Sequence, residues 1–359
     1  MNLPSYVPLI RVLEGEMRGT RLASGEAHRR MCPFFEVVRR RRRSSESPDQ
    51  YLGKAADLIV ETWRLNGPAY VEILDIPKLD NNWFPPAQHP VVLMHDWLRF
   101  KSVHAIPVLA THRDNDYREA VITTVKKEQT GVGLRLFESD LEVPTETAGF
   151  VRGLARDAEV STAKVDLIID LNRILLERLP PFRSLILDFL AALNQLLEYR
   201  SATVIGSSIP NGLEGIPSNE SREVPRLELR LRKELVAAGR SKLRHGDYVT
   251  VPPEFVDRDG PFPNINGKLL YTLDESTLVI RGQSRRHECL EDQYAKLVRR
   301  LVASGRFRGA ELGWGDNYIE MCSRWPSAPG DPTTWVAVGT CHHLELVSAQ
   351  IARDVPAFV

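Results

Sequence analysis

Eight short apolar segments recur along the 359-residue chain, at 7–12, 33–38, 69–74, 104–111, 132–137, 164–171, 202–208 and 246–252, each followed by a stretch of helical character. Each is strand-length, and strands that alternate with helices pair in parallel. Eight such units predict a closed (β/α)8 TIM-like barrel, whose reacting groups stand at the carboxyl ends of the strands. A barrel of this kind needs about 250 residues. The division expected is therefore a barrel core over 1–255 and a C-terminal elaboration over 256–359 that packs on the barrel and completes it.

Within that elaboration, 268–273 and 276–282 alternate around Asp274 and Glu275 and predict a hairpin. Helical patterns are read at 17–31, 51–66, 90–101, 117–129, 148–160, 181–199, 227–238 and 291–303. Trp97 and Phe100, in the third of these, are expected to pack in the core. The end of the chain runs from an apolar stretch at 335–339 through Cys341, His342 and His343 into a last helix. Neighbouring histidines point apart on either a strand or a helix, so this pair is not expected to hold one metal together, although one of them could reach the rim.

Lysine plus arginine and aspartate plus glutamate each total 47, so no overall field draws the chain to nucleic acid or to a membrane. Cys32, Cys289, Cys322 and Cys341 are widely spaced, with neither a pairing framework nor C-x-x-C spacing, which fits reduced thiols. No apolar run approaches the roughly 18 residues needed to cross a bilayer, and no basic stretch leads into an apolar one at the start. A soluble, cytoplasmic protein is expected. The G-x-S-x-G of a serine hydrolase elbow does not occur.

Function, if legible at all, lies in the charges that interrupt the apolar segments. Glu36 and Glu72 break the second and third segments, and Arg135 is the one charge in the fifth. A buried acid costs several kcal/mol unless paired or bound to a cation, so each needs a partner whether or not it is catalytic. Asp166 and Asp170 lie four apart in the sixth segment and so face one side of a strand. Glu16 follows the first segment, Asp75 the third, and His112 the fourth. Ser207 and Ser208 end the seventh, where barrels often hold a phosphate. Five consecutive arginines, Arg39 to Arg43, follow the second segment. They read either as a solvated loop or as a cluster that recruits an anionic small molecule or nucleic acid.

Taken together, Tyr6, Gly15 and Glu16, the run from Pro33 to Glu36, Ile169 and Asp170, and the run from Gly206 to Pro210 form an ordered series. It continues through Gly246 to Tyr248, Leu270 to Thr272, Arg281 and Gly282, Gly315 and Asp316, and His342 and His343. In order and spacing this resembles the beta protein family, a group named after a phage product and found among bacteria. The resemblance runs nearly end to end. It implies a barrel and a phage-related context, and carries no reaction with it.

Three readings follow. In the first, Glu16, Glu72 and Asp170 hold a divalent metal such as magnesium or manganese, and Glu36, His112 and Asp247 do the chemistry. Arg11, Arg135, Ser207, Ser208, Tyr271 and Arg281 would then contact an anionic substrate, giving metal-assisted phosphodiester or nucleotide hydrolysis, with a phage-defence role in view. The second is glycoside cleavage by two of the carboxylates. In the third, the barrel is a non-catalytic binding protein, with Glu36, Glu72 and Arg135 merely pairing in its interior.

Overall fold

The computed structural model describes residues 3–39, 46–74, 89–254, 266–325 and 330–354. Eleven strands lie within them: β1 (Tyr6–Arg11), β2 (Phe34–Val37), β3 (Ala69–Ile73), β4 (Ala105–Ala110), β5 (Val132–Leu136) and β6 (Val165–Arg173), then β7 (Ser201–Ser207), β8 (Ser221–Pro225), β9 (Arg244–Asp247), β10 (Asn266–Thr272) and β11 (Ser276–Ser284). Strands β1 to β7 and β9 form a closed parallel barrel, which β9 seals by pairing Val7 with Gly246 and Pro8 with Asp247. The expected (β/α)8 barrel is the fold. Strands β8, β10 and β11 make a separate antiparallel sheet in the order β10-β11-β8.

Twelve helices accompany them. The first six are α1 (Glu14–Arg21), α2 (Gly25–Arg30), α3 (Pro48–Trp63), α4 (Pro90–Phe100), α5 (Asn115–Glu128) and α6 (Glu138–Leu141). The rest are α7 (Pro144–Asp157), α8 (Leu179–Leu196), α9 (Leu227–Ala237), α10 (Leu290–Ala303), α11 (Trp314–Arg324) and α12 (Pro332–Asp354). Among the described residues no helix is long and apolar enough to cross a membrane.

Period-two alternation sorts the barrel strands into two cores. Val7, Leu9, Phe34, Tyr70, Ile106, Val108, Ile168, Ile205 and Tyr248 point inward and fill the barrel. Tyr6, Ile10, Phe35, Val37, Val71, Leu134, Leu167, Ile169 and their neighbours point outward and pack under the helices. Gly246 is an inward position left empty on purpose of packing: a Cβ there would stand 2.4 Å from the Ile205 side chain and 2.9 Å from the Val7 carbonyl.

Several expectations are corrected. The eighth strand begins two residues early and stops at Asp247, because Val249 takes a left-handed backbone (φ 55°) that no strand continues through. The acidic turn after β1 and the stretch 17–31 are two short helices, α1 and α2, so Glu16 stands on a helix. Trp97 and Phe100 are 42% and 75% exposed, since the buried stripe of α4 is Val91, Met94, His95 and Leu98, spaced i, i+3, i+4, i+7. Strand β8 carries almost no buried side chain and gave no alternation to read. The stretch 335–339 is the start of α12, a 23-residue helix buried on most sides.

Helix α12 supplies the eighth helical position. It lies on α1, against β1 and β10, and its Cys341, Leu344, Val347 and Ile351 join the outer barrel core. Small residues allow the approach: a Cβ on Gly19 would meet the Ala337 carbonyl at 2.5 Å and the Thr340 Cβ at 2.7 Å. Backbone atoms cannot step aside as a flexible side chain can. Gly19→Ala is expected to destabilise by about 1–3 kcal/mol through overpacking, read as a lower urea midpoint; an unchanged midpoint would mean that α1 and α12 have room to part.

Candidate functional site

Inward positions near the carboxyl ends of five barrel strands bring Arg11, Glu36, Glu72, Arg135 and Asp170 into one buried layer, with register placing Arg11 beside Glu36 and Glu36 beside Glu72. Arg135 sits at its centre. Its Nη1 donates to Glu36 Oε1 at 2.9 Å and to Glu72 Oε2 at 2.6 Å. Its Nε and Nη2 donate to Asp170 Oδ2 at 2.9 and 2.5 Å, and Nη2 also reaches the Tyr248 hydroxyl at 3.2 Å. The Tyr248 hydroxyl donates in turn to Asp170 Oδ2 at 2.6 Å, and the Asn172 amide donates to Oδ1 at 2.8 Å. Arg113 closes the outer side, donating to Glu72 Oε1 at 2.8 Å.

Five of the six carboxylate oxygens of Glu36, Glu72 and Asp170 thus accept hydrogen bonds from this chain. The sixth, Glu36 Oε2, faces Arg11 Nε at 3.6 Å. Burial pushes the two glutamates upward alike, and their cations decide the outcome. Arg135 and Arg113 together outweigh burial and hold Glu72 below the usual carboxyl range. Glu36, which shares Arg135 and lies beside Glu72, ends above it.

Asp247 does not join this layer. One residue out of phase with the inward Gly246 and Tyr248, its side chain leaves the barrel on the helix side and meets α12. It accepts from the Tyr6 hydroxyl at 3.0 Å and lies 3.0 Å from His343 Nε2. His343 Nδ1 lies 2.8 Å from the Thr272 hydroxyl; in the tautomer that donates Nε2–H to Asp247, it accepts from that hydroxyl. Although burial opposes it, the His343 and His245 rings hold the Asp247 carboxyl well below the usual range. The Thr-His-Asp order is that of a hydrolase triad, but Thr272 is 0% exposed and no substrate can reach it.

The remaining predicted residues are dispersed. Burial raises Glu16, on α1, to about 7, and it feels the charges of Arg11 and Lys268, but Arg135 does not hold it. His112 is exposed on the rim, its ring 5.1 Å from that of Phe137. Burial, with Arg113 and Arg135 nearby, lowers its pKa below the ordinary histidine value. The Ser208 hydroxyl donates to Glu228 at 2.6 Å and accepts from the Leu227 amide at 2.7 Å, which ties it to the start of α9. Ser207, Ser208, Asp247 and His343 border a void of about 10 Å³, room for about one water rather than a phosphate. Tyr271 donates to Asp316 at 2.7 Å and stacks on His342, and Arg281 donates to the Ile216 carbonyl at 2.6 Å, both within the C-terminal layer. Asp75 and four of the five consecutive arginines, all but Arg39, lie outside the described residues.

Four participants were not singled out from the sequence. Tyr248 and Arg113 complete the mouth, and Tyr6 and Thr272 complete the Asp247 cluster. As site residues they left no signal beyond the places of Tyr6, Tyr248 and Thr272 in the series that carries the family resemblance and the phase of Tyr248, two residues beyond Gly246. Among the described residues no three histidine, cysteine or acidic side chains converge as a cage for a metal ion. In the mouth the central position between the acids is filled by a guanidinium.

The chain belongs to the beta protein family, whose model, described as Beta protein, matches residues 6–349. No curated protein matches it.

Proposed function

We propose that this member of the beta protein family is a recognition protein, whose barrel mouth binds a small polar anion over a fixed ionic floor, with no metal-dependent hydrolysis. The observation that carries this reading is the commitment of the carboxylates. A divalent ion at Glu36, Glu72 and Asp170 would have to displace Arg135 and strand its charge, at a cost of several kcal/mol. The ligand's charge is argued from the rim. Arg113 donates through Nη2 to Glu72 and to the Ile73 carbonyl and lies over the Tyr117 ring, among the described residues its Nε has no hydrogen-bond partner, and the exposed His112 is its neighbour. A phosphate or carboxylate oxygen at the rim would satisfy that nitrogen once the guanidinium turned outward.

One titration series tests both halves. Magnesium, manganese and calcium should leave the melting temperature unchanged, whereas a specific site at a hundredfold excess over Kd would stabilise by about 2.7 kcal/mol. Pyrophosphate should bind, and Arg113→Gln should weaken it about tenfold, the size expected for one charge-assisted hydrogen bond. A metal-dependent rise in melting temperature would restore the phosphodiester hydrolase reading. Pyrophosphate affinity indifferent to Arg113 would remove the anion from the mouth.

A further inference from the structure

The opposite end of the barrel holds an open groove of about 630 Å³, within the size range of small-molecule sites. It lies where β6, β7 and β9 begin and where α8 and α9 end. Leu190, Leu197 and Leu243 give it an apolar floor, and Arg200, Arg240 and Lys242 bring positive charge to its wall against the single carboxylate of Glu198. Arg200 is already used: it is paired with Asp166, and its Nη1 donates to the Thr130 carbonyl at 2.9 Å. Arg240 and Lys242 are not. Among the described residues neither has a carboxylate within ion-pairing distance, and Arg240 makes one long contact, 3.5 Å, to the Leu187 carbonyl.

These two cations are not needed to finish the helices beside them. The last carbonyls of α9 accept from the Ala238, Gly239 and Arg240 amides, and the Leu196 carbonyl at the end of α8 accepts from Arg152 at 2.8 Å. A second observation comes from behind the groove wall. Ser201 lines the groove and donates to Asp166 at 2.7 Å, and on its inner side stands Arg244, 4% exposed. Arg244 donates to the Pro4 carbonyl and the Tyr70 hydroxyl, each at 2.8 Å, and to Ser201 at 3.3 Å, and it lies beside the Cys32 thiol, while among the described residues its buried Nη2 has no hydrogen-bond partner. Among the described residues Asp166 is the one carboxylate beside both Arg200 and Arg244, so this cluster carries one positive charge in excess.

From the groove, its two unpaired cations and the uncancelled arginine behind its wall, we infer that the amino-terminal face is a second ligand site, which takes a small organic anion with an apolar or aromatic body. The apolar floor receives the body, and Arg240 and Lys242 receive the anionic group. The site is separate from the mouth and does not depend on the function proposed for it.

Adenosine 5'-monophosphate, adenosine and inorganic phosphate are suitable probes, titrated by calorimetry into the full chain. The monophosphate should bind at least about tenfold more tightly than adenosine or phosphate alone, and the double variant Arg240→Ala, Lys242→Ala should lose about tenfold or more. Lys242 is exposed and Arg240 is half-buried with one long contact, so this variant should keep a melting temperature close to the wild type's. Hydrogen exchange locates the site independently of the mouth: the monophosphate should protect amides at 197–202 and 239–243. Equal affinity for adenosine, an unaffected double variant, or protection confined to the carboxyl-terminal face would each overturn the inference.

Discussion

Arg135→Met should lower the folding stability at neutral pH by about 3–5 kcal/mol, the cost of removing the central member of a buried ionic group and leaving its carboxylates short of positive charge. Three carboxylates share this one guanidinium. The sign of the pH dependence is a sharper test than the size. In the wild type Glu72 is held below its ordinary value, so its contribution is present above the ordinary carboxyl range and is lost as pH falls through the lowered value. Without Arg135 the burial of Glu36 and Glu72 is opposed only by Arg11 and Arg113, and their folded values rise. The variant should then be relatively most stable in acid and weaken as pH rises through those values. Urea melts at about pH 4.5 and 7.5 would show it. Adding Glu36→Gln, Glu72→Gln and Asp170→Asn should recover much of the loss, because neutral side chains of similar shape remove the unpaired charges. A loss under about 1 kcal/mol, or the same pH slope as the wild type, would mean that Arg135 is not the keystone of the layer.

The barrel was legible because seven of its eight strands are largely apolar on both faces, as a parallel strand buried between an interior and a helical layer must be, while the eighth, Arg244–Asp247, was located only by the apolar stretch that follows it. The acids and arginines were legible for the same reason, since a lone charge in such a run stands out. What could not be read was direction. Glu36 and Asp247 look alike in the sequence, each a single acid in an apolar stretch. One faces the barrel interior and the other faces α12, a difference of one residue in phase. The left-handed Val249, which ends β9, left no trace in composition. His343 was out of reach in another way, because its partner lies 96 residues away and the helix that carries it has no apolar stripe to fix its facing. Strand β8 is held at a sheet edge by backbone pairing with β11, and its side chains record nothing of it.

That outward phase gives Asp247 a different task, fastening the last helix to the barrel seam. Its carboxylate joins β9 to Tyr6 at the start of β1 and, through His343, to α12 and to Thr272 of β10. On the next residue of α12, His342 bonds Asp316 Oδ2 and the Thr272 carbonyl, each at 2.8 Å, so the helix is tied on two sides. Asp247→Asn keeps the shape but removes the charge that the two histidine rings and the tyrosine hydroxyl surround. A loss of about 3 kcal/mol is expected at neutral pH, with faster amide exchange along α12 than across the barrel strands. The folded carboxyl lies below its ordinary value, so the stability it contributes is present above about pH 4 and is lost as pH falls through the depressed value. The gap between wild type and Asp247→Asn should therefore be full at pH 7 and narrow in acid. A gap of constant size from pH 7 down to pH 3 would show that packing around the side chain, not its charge, holds the helix to the seam.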